Sequence, residues 1–195
     1  MRARFLLAAA FAAAAFASPA WAGDLRRGEA AAEACAACHG QDGRSQMPGV
    51  PSLAGMPAEF TVLQMILFRE GLRNAAPMTE LARGLSDAEI EALAAWYAAL
   101  PPGPPDDLPP RDPALAERGR ALSARHNCGV CHLPDYRGRA QMPRLAAQRE
   151  DYLIHALTEY RDNRRVGTDT QMNGIMYGMP DEDIAALAHY LAHAP

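Results

Sequence analysis

The chain has 195 residues and a formal net charge of −4, with 19 basic residues, every one an arginine, against 23 acids. That balance excludes a nucleic-acid partner, which would require a basic face. Aromatic residues make up only 7% of the chain and alanine is abundant, so helices are favoured over sheets, and the length suits one ordinary domain or two small ones.

The chain opens MRARFLLAAAFAAAAFASPAWAGD. Two arginines, an apolar run from Phe5 to Ala17 and the small-x-small triplet Ala20-Trp21-Ala22 have the form of a secretory signal peptide over residues 1–22, so maturation is expected at Gly23. The apolar run is shorter than the roughly 20 residues of a spanning helix. An exported, periplasmic protein is therefore expected, with membrane association at most peripheral; a retained anchor is the alternative. Without the leader, 17 arginines stand against 23 acids. Residues 23–110 hold 6 arginines and 12 acids, whereas residues 111–195 hold 11 of each. The first half is acidic and the second neutral.

The first half, residues 23–100, reads as three helices. Asp24 is placed to cap the first, which leads into Cys35-Ala36-Ala37-Cys38-His39. Phe60, Leu63, Leu67 and Phe68 give the second helix its apolar face. Met78 stands alone in the loop that follows, and Met47, Met56 and Met65 read as packing residues. The third helix opens on the capping box Ser86-Asp87-Ala88-Glu89 and carries Ile90, Leu93, Ala94 and Tyr97 as its stripe. Residues 101–113, PPGPPDDLPPRDP, contain seven prolines. Such a segment favours extended polyproline geometry and reads as a semi-rigid linker between domains.

The second half, residues 114–195, repeats the first. Asp112 with Pro113 starts a helix, which leads to Cys128-Gly129-Val130-Cys131-His132. Pro51-x-Leu53-Ala54 matches Pro143-x-Leu145-Ala146, and Phe68-Arg69 matches Tyr160-Arg161, at an offset of 92. Gly84, Asp87, Ile90, Leu93 and Trp96 match Gly178, Asp181, Ile184, Leu187 and Tyr190 at an offset of 94. Nothing alternates as a strand would, so the fold is expected to be all-α, two tandem helical domains.

Four cysteines in an exported chain could form two disulfides or one zinc site, but neither accounts for a histidine directly after each pair. C-x-x-C-H is the attachment signature of c-type haem: two thiols add to the vinyl groups and the adjoining imidazole reaches the iron. Two covalently bound haem c groups are therefore expected, one on Cys35 and Cys38 with His39 as iron ligand, the other on Cys128 and Cys131 with His132. Domains this small bury little core, and the cofactor is the expected staple.

With these motifs the chain resembles the class I cytochromes c, and in its tandem form the dihaem cytochrome c4 group and the related dihaem subunits of flavocytochrome c dehydrogenases. The resemblance covers almost the whole mature chain. It implies that first and last helices of each domain cross beside the haem, with Gly28 against Trp96 and Gly119 against Tyr190. It also implies that a prolyl carbonyl, from Pro51 or Pro143, orients the ligating imidazole. A hydrogen bond to the free ring nitrogen would fix the tautomer and raise ligand basicity. One departure stands out: Gly28 precedes its cysteine by seven residues and Gly119 by nine, so the first helix of the second domain is expected to end differently.

Each iron needs a far ligand, and a thioether favours the reduced metal. Met78 is expected to supply it in the first domain. The offset of 94 carries Met78 onto Met172, Ala82 onto Met176 and Leu85 onto Met179. Met172 is thus the expected second ligand, with Met176, Met179 and, last, His155 as alternatives. His126, His155, His189 and His193 are expected to face solvent. Iron coordinated by protein on both faces leaves no site for substrate and no catalytic residue. A carrier of single electrons between redox protein donor and acceptor follows, the partner being a membrane-bound oxidase or a periplasmic dehydrogenase, and the uneven charge of the halves orients docking. The alternatives are an electron-accepting dihaem subunit of a periplasmic dehydrogenase, or a dihaem enzyme such as a peroxidase or thiosulfate dehydrogenase. An enzyme would need an open coordination position or a cysteine ligand, and all four cysteines are committed to haem.

Overall fold

The computed structural model describes residues 19–165 and 170–195. Of the expected leader, residues 1–18 lie outside these. The described residues form helices α1 (Pro19–His39), α2 (Ala58–Arg69), α3 (Met78–Ala82) and α4 (Asp87–Ala99) in the first half. The second half adds α5 (Pro113–Arg125), α6 (Cys128–His132), α7 (Glu150–Arg161), α8 (Thr170–Met176) and α9 (Asp181–Ala192). No strand occurs among the described residues, only an isolated bridge between Arg139 and Met142.

In the first half α1 crosses α4, and α2 packs on α4. The second half repeats this with α5 across α9 and α7 on α9. Glycine makes both crossings: a Cβ on Gly28 would lie 2.2 Å from the Ala92 carbonyl oxygen and 2.8 Å from Trp96 Cβ. On Gly119 it would lie 2.1 Å from the Ala186 oxygen and 2.5 Å from Tyr190 Cβ. The two extra residues after Gly119 are absorbed further on. α1 runs unbroken into the first C-x-x-C-H, whereas the second half breaks after Arg125 and restarts at Cys128. Asn127 takes the turn at φ +56°, a left-handed conformation that its short polar side chain tolerates.

Side-chain caps fix the starts of α4 and α5. At α4, Glu89 N–H donates to Ser86 Oγ (3.3 Å) and Ser86 N–H donates back to Glu89 Oε2 (2.8 Å). At α5, Asp112 Oδ1 accepts from the amides of Ala114 (2.7 Å) and Leu115 (3.1 Å), and Pro113 occupies the first helical position. Asp24, expected to cap the first helix, lies within α1, which begins at Pro19. The methionine loops also differ from expectation, since Met78 and Met172 lie on the short helices α3 and α8.

The proline-rich segment is fastened down along its length. Asp106 N–H donates to Gln46 Oε1 (2.9 Å), and Leu108 packs against the core that holds Tyr136, Ala188 and Leu191. Asp107 takes two hydrogen bonds, of 2.8 and 3.0 Å, from the Arg149 guanidinium. The Pro109 carbonyl meets His193 Nε2 at 2.9 Å. Polyproline geometry keeps this strap extended, and side chains from both halves pin it.

Candidate functional site

In the first half α1 delivers Cys35, Cys38 and His39 within its last turn and a half. The chain then doubles back. Ser45 Oγ donates to the Cys38 carbonyl (2.9 Å), and the peptides of Leu53 and Ala54 bond the Gly43 carbonyl at 2.7 and 3.0 Å. This loop sets the Pro51 carbonyl 2.8 Å from His39 Nδ1. In the second half the equivalent loop closes on the Tyr136 carbonyl, with bonds of 2.8 and 3.2 Å from Leu145 and Ala146. It sets the Pro143 carbonyl 2.9 Å from His132 Nδ1. A carbonyl only accepts, so each ring must carry its proton on Nδ1, and its lone pair then lies on Nε2.

Both imidazoles are buried. Burial pushes the His39 pKa below its ordinary value, and the bond to Pro51 offsets only part of that. His39 is thereby kept neutral, the form that binds a metal. None of the four cysteines forms a disulfide, and each is half-buried. Burial raises the pKa of Cys35 and of Cys128.

Met78 opens α3, partly buried against Met65, Phe68, Ala82 and Ile90. Met172 lies partly buried on α8 against Leu157, Met176 and Ile184. Met176 is 2% exposed and Met179 6%, both inside the core. Their counterparts behave alike, since Ala82 is fully buried and Leu85 packs against the same cluster. Met56 and Met65 are core residues, but Met47, expected to pack, is 42% exposed on the loop after Ser45.

Two arginines related by the offset of 92, Arg73 and Arg165, went unnoticed in the sequence, although the repeat register relates them. Neither forms a salt bridge among the described residues. Arg73 donates to Gln64 Oε1 (2.6 Å) and lies over the Phe68 ring. Arg165 lies over the Tyr160 ring and donates to Tyr152 Oη (3.3 Å). Burial opposes ionisation of the Tyr152 phenol, but the Arg165 and Arg73 charges outweigh it and lower its pKa to about 8. Arg165 Nε and Gln64 Nε2 are buried with no hydrogen-bond partner. Buried orphan donors call for an acceptor, so paired cysteines outside any disulfide, buried imidazoles turned by prolyl carbonyls and these donors fit a haem with acidic substituents.

The helical histidines need one correction. His155 is exposed, but His189 is only 3% exposed. Its Nε2 accepts the Asp112 N–H (2.8 Å), and its Nδ1–H donates to Glu150 Oε2 (3.0 Å). The strap covers this face of α9, which is why the residue is buried. Glu150, His189 and His193 place ligand atoms within 4.8 Å of one another, yet these hydrogen bonds and those of His193 to the His189 and Pro109 carbonyls (2.8 and 2.9 Å) use them as ties.

Residues 116–195 match the family model described as cytochrome c, and residues 23–96 the one described as cytochrome c oxidase, cbb3-type, subunit III. Cytochrome c4 from Thiocapsa roseopersicina is 37% identical over 184 residues, spanning 87% of this chain and 92% of that protein. A thiosulfate dehydrogenase electron acceptor from Thiomonas intermedia is 33% identical, covering 84% of this chain and 80% of its own length. Among solved structures, reduced recombinant cytochrome c4 from Pseudomonas stutzeri superposes with a TM-score of 0.78 at 29% identity, covering 88% of this chain and 98% of that one. The tandem helical halves, the two C-x-x-C-H motifs and this likeness over nearly the full length agree: the chain belongs to the cytochrome c4 family, electron-transfer proteins with two covalently bound haem c groups.

Proposed function

We propose that this cytochrome is exported and shuttles single electrons between a periplasmic donor and a membrane-bound or periplasmic acceptor. Cys35 and Cys38 hold one haem and Cys128 and Cys131 the other, through thioether bonds. His39 and His132 would ligate iron through Nε2, with Met78 and Met172 as the second protein ligands. The observation that carries this reading is the same buried histidine-to-prolyl-carbonyl bond in both halves, 2.8 Å at Pro51 and 2.9 Å at Pro143. It turns each ring so that Nε2 can bind metal.

The haems supply reversible one-electron exchange at iron. The protein holds the His39 imidazole neutral and orients both rings, excludes water with the cores around Met65, Phe68 and Ile90 and around Leu157, Met176 and Ile184, and offers Arg73 and Arg165 to the acidic substituents. Two protein ligands per iron leave no coordination position for a substrate, so no chemistry beyond electron exchange follows. A second reading, the electron-accepting partner of a dehydrogenase, draws on the likeness to the Thiomonas intermedia protein. It differs only in how long the partner stays bound.

Pyridine haemochrome assay against protein mass should give two haems per chain, falling to one in the double variant Cys35→Ala, Cys38→Ala. A wild-type value of one would overturn the assignment. Carbon monoxide should bind the ferrous protein poorly at neutral pH, and ready binding at one haem would point to an enzyme.

A further inference from the structure

The halves meet at equivalent loops, and one contact there has no symmetric mate. Gln148, just before α7 in the second half, is 4% exposed and lies against Ser52 of the first. Its Oε1 accepts the Ser52 N–H at 2.7 Å, and its Nε2 donates to the Ser52 carbonyl at 2.9 Å. The opposite amide orientation would set donor against donor, so chemistry fixes which end is which. The offset of 92 pairs Gln148 with Met56 and Ser52 with Arg144. A thioether has no amide, and Met56 cannot return the clamp.

The Ser52 N–H belongs to the same planar peptide group as the Pro51 carbonyl. That carbonyl accepts the His39 Nδ1 proton at 2.8 Å. One peptide unit thus links the Gln148 carbonyl oxygen of one half to the ligating imidazole of the other. When an acceptor takes a peptide N–H, the amide polarises and its oxygen becomes a stronger acceptor, and buried chains of hydrogen bonds reinforce one another in this way. A stronger acceptor on Nδ1–H makes the imidazole a more basic ligand, and a more basic ligand favours ferric iron.

We propose that Gln148 is a positioning residue of the second domain that acts through the Pro51–Ser52 peptide to strengthen the His39 ligand, lowering the reduction potential of the first haem and leaving the second untouched. Neighbouring contacts hold the device in register. Gly49 N–H donates to Asp151 Oδ2 (2.9 Å), and Arg149 donates to the Ser45 carbonyl (3.3 Å) while gripping Asp107 and Asp151. Two haems on nearly identical scaffolds would in this way be made unequal at their shared interface, giving the internal electron step a direction.

The inference rests on His39 being an iron ligand, and the test separates the two claims. The intact dihaem protein and its Gln148→Met variant, which copies the residue at position 56, are compared by spectroelectrochemical titration and by proton NMR of the reduced, diamagnetic state. Signals are assigned to each haem with His39→Ala and His132→Ala. In Gln148→Met the first haem's potential should rise and the second's stay, while the His39 Nδ1–H resonance moves upfield and that of His132 does not. Gln148→Glu keeps an acceptor for the Ser52 N–H but loses the donor to its carbonyl, so its His39 resonance should stay in place or move downfield. A merely structural clamp would shift that resonance the same way in both variants, and this result would overturn the proposal. So would unchanged potentials in Gln148→Met, or equal shifts at both haems. If His39→Ala leaves both haem spectra intact, the ligand assignment fails instead.

Discussion

The first half of the molecule runs one helix from Pro19 straight into its haem-attachment motif, and the second half breaks that helix and inserts two residues. Yet glycine meets the last helix in both halves, a Cβ at either position falling within about 2.2 Å of a backbone oxygen. In both, the attachment histidine also reaches its prolyl carbonyl within 0.1 Å of the same distance, 2.8 against 2.9 Å. The geometry that matters is therefore the crossing point and the histidine-to-proline bond, and the chain between them is free to change. A second exchange follows the same logic. Gly43 and Tyr136 both sit at positive φ, +73° and +54°, at the turn that closes the loop. A Cβ on Gly43 would come within 3.1 Å of Tyr97. In the second half Tyr136 fills that space, Leu191 replaces Tyr97, and the phenol finds Ser123 Oγ at 2.9 Å and the Tyr190 ring edge-on at 5.6 Å. An aromatic ring has moved from the helix to the loop, leaving the layer filled.

If the crossings are equivalent despite the insertion, Gly28→Val and Gly119→Val should be equally damaging. Each forces a side chain into backbone, a cost on the order of 3–4 kcal/mol or a failure to fold. Chemical denaturation followed at each haem's absorbance would show it. A much milder Gly119→Val would mean that the break at Asn127 lets α5 slide, and that the halves are less alike than their distances imply.

The methionines sharpen the same comparison. Met172→Ala should abolish one sulfur-to-iron charge-transfer band, as Met78→Ala should abolish the other. Met176→Ala should keep both bands and lower stability by about 2–3 kcal/mol, because it empties a core position. Loss of a band in Met176→Ala would move the register by one helical turn.

Much of this was legible in the sequence, because the repeat let each half read the other. The C-x-x-C-H motifs, the capping box at Ser86 and the pairing of Ala82 with Met176 follow from residues close in sequence or related by the offset, and the glycine-to-aromatic crossings from the family resemblance. What was not legible depends on surfaces meeting across the molecule. His189 has polar neighbours and reads as exposed, but the strap lies over it and Asp112 and Glu150 satisfy its ring. Gln148 has no signature, because its partner Ser52 lies 96 residues away and its counterpart Met56 differs in chemistry. Met47 reads as apolar filler, yet its side chain is exposed. Helical periodicity reports which face of a helix is covered by its own domain and is silent on what the other domain covers.

The smallest expected effect concerns how the two halves start a helix. α4 opens on a serine hydroxyl, α5 on a carboxylate. The amides of Leu115 and Ala114 hold Asp112 below the usual carboxylate range. A carboxyl whose pKa is lowered by folding stabilises the native state above its unfolded pKa and loses that contribution as pH falls through the folded one. Asp112→Ala should therefore weaken the second half at neutral pH, and the deficit relative to wild type should shrink as acid is added. Asp112→Asn keeps an acceptor for the two amides but cannot titrate, so it should hold most of the neutral stability and flatten this part of the acid response. Ser86→Ala should cost about 1 kcal/mol. Its effect falls on the first half, whose own acid response runs through Glu89, held low by the Ser86 hydroxyl and amide. Acid titration of unfolding, followed separately at the two haems, would assign each cap to its half. Asp112→Ala acting on the first haem instead would show that the strap, and not α5, carries the influence of this residue.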